Sequence, residues 1–366
     1  MLHLRHDPPP MAHAINSLIH ALDVNPQLGT EGRILFIRAE NHPALEHFRE
    51  QLTCQQTWKP RAVELEAAGF PVVREEQGTY PLVLVLPDPQ RDLAVSDIAR
   101  GYDRLADGGT LMVAQHNDAG GKKAEQMFKE LTGGAETLSK HHCRVFWAVK
   151  DASKPWREGT LAQWRERGLM RRVMDGNWWS KPGLFSWDRI DPGSALLAQH
   201  LPADLKGHAA DLGCGYGFLS DHLLRHCYDI DALDIYDADA DAFECARRNL
   251  GIIPTRVKAK PVWSDVTAGI ERTRYDVIVT NPPFHEGKDQ DALIGMKFIA
   301  TAAAALQADG QLWLVANRQL PYEELLTECF AETRQIIEQG GFKVLHAHHP
   351  KVPPAYERRR KGKWKR

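Results

Sequence analysis

The chain has 366 residues, 43% of them apolar and 26% charged, with a formal net charge of −2. That composition excludes a chain disordered throughout and leaves room for two domains of ordinary size. No apolar run approaches the roughly 20 residues needed to span a bilayer, and the first ten residues lack the apolar core of a secretory signal, so a cytoplasmic protein with no membrane partner is expected.

In chain order, the first clear element is the apolar strand Tyr80–Leu86. A helical stretch follows, and an Asp-Gly turn then launches a second buried strand within Leu105–Ala114. An amphipathic helix over Lys122–Leu131 and a strand over Arg144–Val149 complete this half. About 200 residues later the series returns. Strand Tyr275–Thr280, a helix, an Asp-Gly turn into Leu306–Ala316, helix Tyr322–Phe330 and strand Phe342–Ala347 follow in the same order. Strands alternating with helices imply a mostly parallel sheet covered on both faces. The repetition predicts an α/β protein made of two tandem Rossmann-like domains from an internal duplication. We place them at residues 1–155 and 188–350.

Between them, residues 156–187 read as a basic, tryptophan-rich linker. Five of the ten tryptophans fall within residues 151–187, among seven arginines and lysines that include Arg171 and Arg172. Such a mixture suits nucleic-acid binding by charge and stacking, or a wedge between domains. Residues 351–366 carry eight Lys/Arg and one acid, net +7, which leaves −9 for the preceding 350 residues. A basic terminal block on an acidic protein suggests an arm for a polyanion, with Arg358, Arg359 and Arg360 meeting phosphate and Trp364 stacking on a base. The irregular spacing of six cysteines and 17 histidines predicts no disulfide framework and no metal. A monomer is expected.

The chemistry concentrates in the second half. The run Ala209-Ala-Asp-Leu-Gly-Cys-Gly-Tyr-Gly217 ends a short strand near Asp211 and places glycines at 213, 215 and 217. Glycines allow a tight turn and close approach to a ligand, at the sheet edge where nucleotides bind. A second strand, ending near Asp234, puts a carboxylate 21 residues after Gly213, suited to ribose hydroxyls. Asp265 would close the next strand, within reach of an adenine amino group. Ile235 and Val266, beside these acids, join the cofactor-binding set. Cys214 reads as a small loop filler, and Ser194, in Asp-Pro-Gly-Ser, as a helix N-cap. The fourth element is Asn281-Pro-Pro-Phe284, directly after the strand Asp276–Thr280.

This series resembles the class I S-adenosylmethionine-dependent methyltransferases. Asn-Pro-Pro-Phe resembles the motif of those that methylate an amine conjugated to a planar ring. The resemblance implies S-adenosylmethionine as cofactor and Asn281, Pro282, Pro283 and Phe284 as the catalytic set. The Asn281 side chain and the Pro282 carbonyl would accept the amine hydrogens, the prolines would stiffen the turn, and Phe284 would stack on the base. The upstream run Gly183–Ser194, the motif continued to His285, Val315–Tyr322 and Gly341–Val344 narrow the resemblance to bacterial ribosomal RNA guanine-N2 methyltransferases. Those comprise the small-subunit methyltransferase C type and its large-subunit relative. The match covers residues 180–348. It implies methylation of a guanosine N2 amine in ribosomal RNA, of the small subunit first, with ribosomal RNA or a ribosomal subunit as partner. His285, Lys288 and Arg318 are then candidates for substrate contact. An adenine N6 amine, a protein glutamine or a large-subunit guanosine remain as alternative acceptors, and a non-enzymatic RNA scaffold as an alternative role. The first repeat reads Arg33–His42 where a glycine loop belongs, and Pro87-Asp-Pro-Gln against Asn-Pro-Pro-Phe. It is therefore expected to position substrate or serve as a scaffold, and not to catalyse.

Overall fold

A computed structural model describes residues 10–26, 28, 32–270, 274–283 and 289–351. The chain divides into two units, Met1–Met170 and Arg171–Arg366. The first contains α1 (Pro10–Val24), β1 (Ile34–Ile37), β2 (Leu52–Gln55), α2 (Lys59–Ala67), β3 (Val72–Val73), β4 (Tyr80–Val85), α3 (Arg91–Asp103), β5 (Leu105–His116), α4 (Gly121–Thr132), β6 (Glu136–Lys140), β7 (Cys143–Val149) and α5 (Glu158–Arg167). The second opens with a small hairpin, β8 (Arg171–Val173) and β9 (Trp178–Ser180). It continues through α6 (Pro192–His200), β10 (Lys206–Leu212), α7 (Phe218–His226), β11 (Asp229–Asp237), α8 (Ala240–Leu250), β12 (Ala259–Trp263), β13 (Tyr275–Thr280), α9 (Asp289–Ala305), β14 (Leu306–Asn317), α10 (Tyr322–Cys329), β15 (Phe330–Gln339) and β16 (Phe342–Pro350).

Each unit is built on a seven-stranded sheet with the same order. The first runs β3-β2-β1-β4-β5-β7-β6 and the second β12-β11-β10-β13-β14-β16-β15. The first five strands of each pair in parallel and the last two pairings are antiparallel, so β7 and β16 run against the other six strands of their sheets. The expected tandem α/β duplication is therefore present, as a mixed sheet in each unit. Along β10, β13 and β14 alternate side chains enter opposite cores. Ala209, Val277, Val279 and Trp313 face one, while Ala210, Ile278, Leu312 and Leu314 face the other. Burial on both faces explains the apolar stretches Val277–Val279 and Leu312–Ala316 within β13 and β14.

Residues 156–187 are apportioned between the units. Trp156 and Trp164 are buried in the first unit's core, where Trp156 meets Phe128 edge-on at 5.4 Å. The hairpin β8–β9 is pinned within the second. Asn249 of α8 accepts from the Trp179 amide (2.8 Å) and donates to the Trp179 carbonyl (2.9 Å). The Trp179 ring lies close to the guanidinium groups of both Arg172 and Arg248, at 5.0 and 4.6 Å.

Several strands were not among the expected elements: β2, β3, β8 and β9, and with them β6 and β15. The last two, β6 and β15, are sheet edges with mostly exposed side chains. Among the described residues no helix is long and apolar enough to cross a membrane, and no cluster of His, Cys, Asp or Glu could hold a metal ion.

Candidate active site

In the second sheet the strand order reverses between β10 and β13, so their carboxyl ends open the crevice where α/β sheets bind ligands. The two ends are tied together. Leu212 and Thr280 are register partners, and the Thr280 hydroxyl donates to the Leu212 carbonyl at 2.7 Å. The glycine loop and the Asn281 turn therefore leave the sheet side by side.

Gly213, Gly215 and Gly217 all sit at positive φ (78°, 52° and 93°). An L-residue pays a steric penalty at each, which is the physical reason for three alternating glycines. A Cβ on Gly215 would meet none of the described residues within 4 Å, so the crest of the loop is open. The loop is held from below. The amides of Gly213 and Cys214 both donate to the Tyr236 carbonyl (2.8 and 2.9 Å), and the Gly215 amide donates to the Asp237 carboxylate at 2.8 Å. Gly217 then starts α7.

The strand-end carboxylate is Asp237. Asp234, expected there, lies three residues inside β11. It is buried and accepts from the Tyr275 hydroxyl at 2.7 Å, and Tyr275 is also bonded to Tyr236 at 2.6 Å. Asp234 is thus committed to the core, because β11 extends further than the spacing suggested. Ile235 is a core side chain of the same strand. Asp265 stands two residues beyond β12, where its carboxylate accepts from the Thr267 amide (2.8 Å) and hydroxyl (2.7 Å). Val266 is buried beside it.

Asp211 is fully buried at the end of β10 and accepts from the Ser220 hydroxyl at 2.6 Å. Burial, reinforced by the nearby Asp237 charge, outweighs that bond and raises its carboxyl to about 7. Burial and the same two carboxylates push the Cys214 thiol well above its usual range, so it stays protonated and serves as loop filler.

Asn281 is the most constrained side chain of the group. Its amide nitrogen donates to Asp191 Oδ2 and to Ser194 Oγ, both at 2.8 Å. A carboxylate oxygen can only accept, so the amide's orientation is fixed. Its oxygen, Oδ1, is buried and has no hydrogen-bond partner among the described residues. The Asn281 carbonyl also lies 4.0 Å from the position a Gly213 Cβ would take. Asp191 is the N-cap of α6, accepting from the Ser194 amide at 2.7 Å. Ser194, expected as the cap, is therefore inside the helix, where its hydroxyl is available to Asn281. Neither clamp residue was singled out for the site. They are some 90 residues away in sequence, and only the fold brings them here.

These features fit an adenosine-type methyl donor: an open glycine crest, a strand-end carboxylate, and beside them a fixed, unpaired acceptor.

The methyltransferase small domain family matches residues 175–346. Ribosomal RNA small subunit methyltransferase C of Escherichia coli strain SMS-3-5 is 34% identical over 248 residues, 66% of this chain and 67% of that protein. The protein of the same name from Escherichia coli K12 is 33% identical over the same length. The chain belongs to the class I S-adenosylmethionine-dependent methyltransferase family that contains ribosomal RNA small subunit methyltransferase C. Among solved structures, the T. thermophilus 16S rRNA N2 G1207 methyltransferase in complex with AdoMet and guanosine is similar over 92% of both chains, with a TM-score of 0.72 and 25% identity.

Within this methyltransferase the first unit has the same strands but a different crevice. By strand register, Arg38, Gln56 and Leu86 stand where the second unit has Gly213, Asp237 and Asn281. The counterpart of Asn281 is therefore Leu86, one residue before the Pro87 expected from the two repeats' sequences. Arg38 keeps the positive φ (53°) of the glycine it replaces. Its guanidinium pairs with the buried Asp97 at 2.5 Å and with Asp88 at 3.4 Å. An ion-pair network occupies the space in front of β1, and the first unit lacks a glycine cradle as expected.

Of the remaining expected site residues, Pro282 is buried and Pro283 exposed directly after β13. Arg318 is exposed just beyond β14, its amide donating to the Gly341 carbonyl at 2.9 Å. Phe284, His285, Lys288, Arg358, Arg359, Arg360 and Trp364 lie outside the described residues.

Proposed function

We propose that the chain transfers a methyl group from S-adenosylmethionine to the exocyclic N2 amine of a guanosine in small-subunit ribosomal RNA. The observation that carries this reading is Asn281 Oδ1, a buried acceptor with no partner among the described residues, oriented by Asp191 and Ser194 beside the glycine loop. Two further facts support it: the relatives bear the name of a small-subunit methyltransferase, and the similar T. thermophilus enzyme was solved with guanosine.

A guanine amine is a weak nucleophile because its lone pair is delocalised into the ring. Asn281 Oδ1 and the Pro282 carbonyl accept its two hydrogens. That turns the nitrogen out of conjugation and fixes its direction of attack, so alignment supplies most of the acceleration. The two prolines hold the turn that carries both acceptors. When bound, S-adenosylmethionine supplies an electrophilic methyl group on a sulfonium. Gly213, Gly215 and Gly217 would cradle it, Asp237 would face its ribose in place of Asp234, and Asp265 its adenine. The basic segment 351–366 would hold RNA phosphate.

The test is transfer from labelled S-adenosylmethionine to undermethylated ribosomal subunits, followed by nucleoside identification. N2-methylguanosine confined to the small subunit is the expected result. Label in another nucleoside, in the large subunit only, or in protein would replace this reading.

A further inference from the structure

The first unit contains a pocket separate from its ion-paired crevice. It lies between α3 and α4, beyond the carboxyl ends of β4 and β5, and encloses about 190 Å³. Ile98, Met127 and Trp164 give it apolar walls. Its polar end is Gln115, only 4% exposed. The Gln115 amide nitrogen donates to the Ala119 carbonyl at 2.9 Å, and since a carbonyl only accepts, the amide's orientation is set. The remaining atom, Oε1, is buried and has no hydrogen-bond partner among the described residues. A buried acceptor without a donor is unfavourable, and a ligand N–H would relieve it.

The rim supplies charge of one sign. Arg91 and Lys123 line the pocket and are exposed, and among the described residues no carboxylate lines it. The twelve-residue helix α4 begins at the same place, adding the partial positive charge of its N-terminus. An apolar slot, a buried acceptor at its end and cations at its mouth match a base, a ring N–H or amine, and a phosphate.

We propose that the first unit binds a nucleotide in this pocket, with a base N–H or amine on Gln115 Oε1 and phosphate at Arg91 and Lys123. The nucleotide is a residue of an RNA chain or a free mononucleotide. The first source rests on the RNA-acceptor reading above; the pocket's chemistry does not.

The experiment titrates 5′-GMP into the full-length chain and into Gln115→Leu and Lys123→Glu, then adds a short single-stranded ribo-oligonucleotide as competitor. S-adenosylmethionine affinity and methyl transfer to subunits are measured on the same preparations. Each variant is expected to weaken GMP by about tenfold, with cofactor affinity unchanged. Displacement by the oligonucleotide assigns the pocket to RNA, and failure to displace assigns it to free nucleotides. No GMP binding, or binding that neither variant alters, overturns the proposal; Lys123 is on the surface, so its variant reports even if Gln115→Leu misfolds. Nucleotide binding without any methyl transfer would keep the pocket and remove the RNA-methylation reading.

Discussion

Asp191 Oδ2 accepts two hydrogen bonds at once, from the Ser194 amide that opens α6 and from the Asn281 side chain, at 2.7 and 2.8 Å. A helix cap and a candidate catalytic amide thus share one oxygen. Asn281→Ala should leave S-adenosylmethionine affinity within a few-fold while transfer falls about 100-fold or more. Ser194→Ala removes one anchor and spares the cap, so transfer should fall about tenfold through misalignment, with stability changed by no more than about 1 kcal/mol. Single-turnover rates and cofactor titration separate the two effects. Normal turnover in Asn281→Ala would remove this side chain from the mechanism.

Gly215→Ala tests the cradle. The residue sits at φ 52° with open space around its missing Cβ. The left-handed conformation costs an alanine roughly 1–2 kcal/mol, with no clash to add. The unfolding free energy should drop by that amount, and calorimetric titration should show cofactor affinity falling about tenfold or more. Unchanged affinity would mean the ligand does not approach this crest.

Asp211 makes a pH-dependent prediction. Burial raises its folded carboxyl to about 7, above the unfolded value near 3.8. Below that unfolded value both states are protonated and no penalty arises. Between about 4 and 7 the unfolded chain releases its proton and the folded chain keeps it, so folding is penalised increasingly as pH rises, and fully above 7. Asp211→Asn removes the penalty while keeping an acceptor for Ser220. Its thermal midpoint should exceed that of the wild type at pH 8, and the gap should close toward pH 4. A gap independent of pH would refute the assignment.

Arg38 tests the first unit. Its partner Asp97 has no exposed side-chain surface and is shared with Arg100 at 3.0 Å. Arg38→Ala should destabilise the protein by about 3 kcal/mol, because a buried carboxylate is deprived of a cation. The cofactor stoichiometry should remain one per chain. A second bound cofactor in this variant would show that the first unit is blocked by Arg38 alone.

Deleting residues 352–366 spares Lys351, whose amide donates to the Cys329 carbonyl at 2.7 Å. RNA affinity should fall, and the log–log salt slope should flatten by about one unit for each phosphate that the segment had neutralised. An unaltered slope would exclude the basic segment from binding.

The duplicated series of strands was legible because both faces of each sheet are buried, which writes β4, β13 and the second halves of β5 and β14 into the sequence as apolar runs. The edge strands β6 and β15 leave no such trace, since their side chains are mostly in solvent and their partners lie on one side only. The glycine loop was legible through its spacing. The carboxylate that follows it was misplaced by three residues, because the length of β11, and not a fixed count, decides which acid reaches the edge. The Asp191–Ser194 clamp was hidden, as it depends on α6 folding back over the end of β13. The exchange of Gly213 for Arg38 was visible as a missing glycine, but the buried Asp97 that makes an arginine tolerable there was not.

The polar character of β15 has a consequence for the protein in concentrated solution. Its free side presents Glu332, Arg334 and Glu338 along an exposed border, and β6 ends the other sheet with Glu136 and Lys140. A foreign strand adding to either border would have to desolvate these charges before gaining a backbone ladder. Each sheet thus carries a deterrent to templated aggregation at this margin.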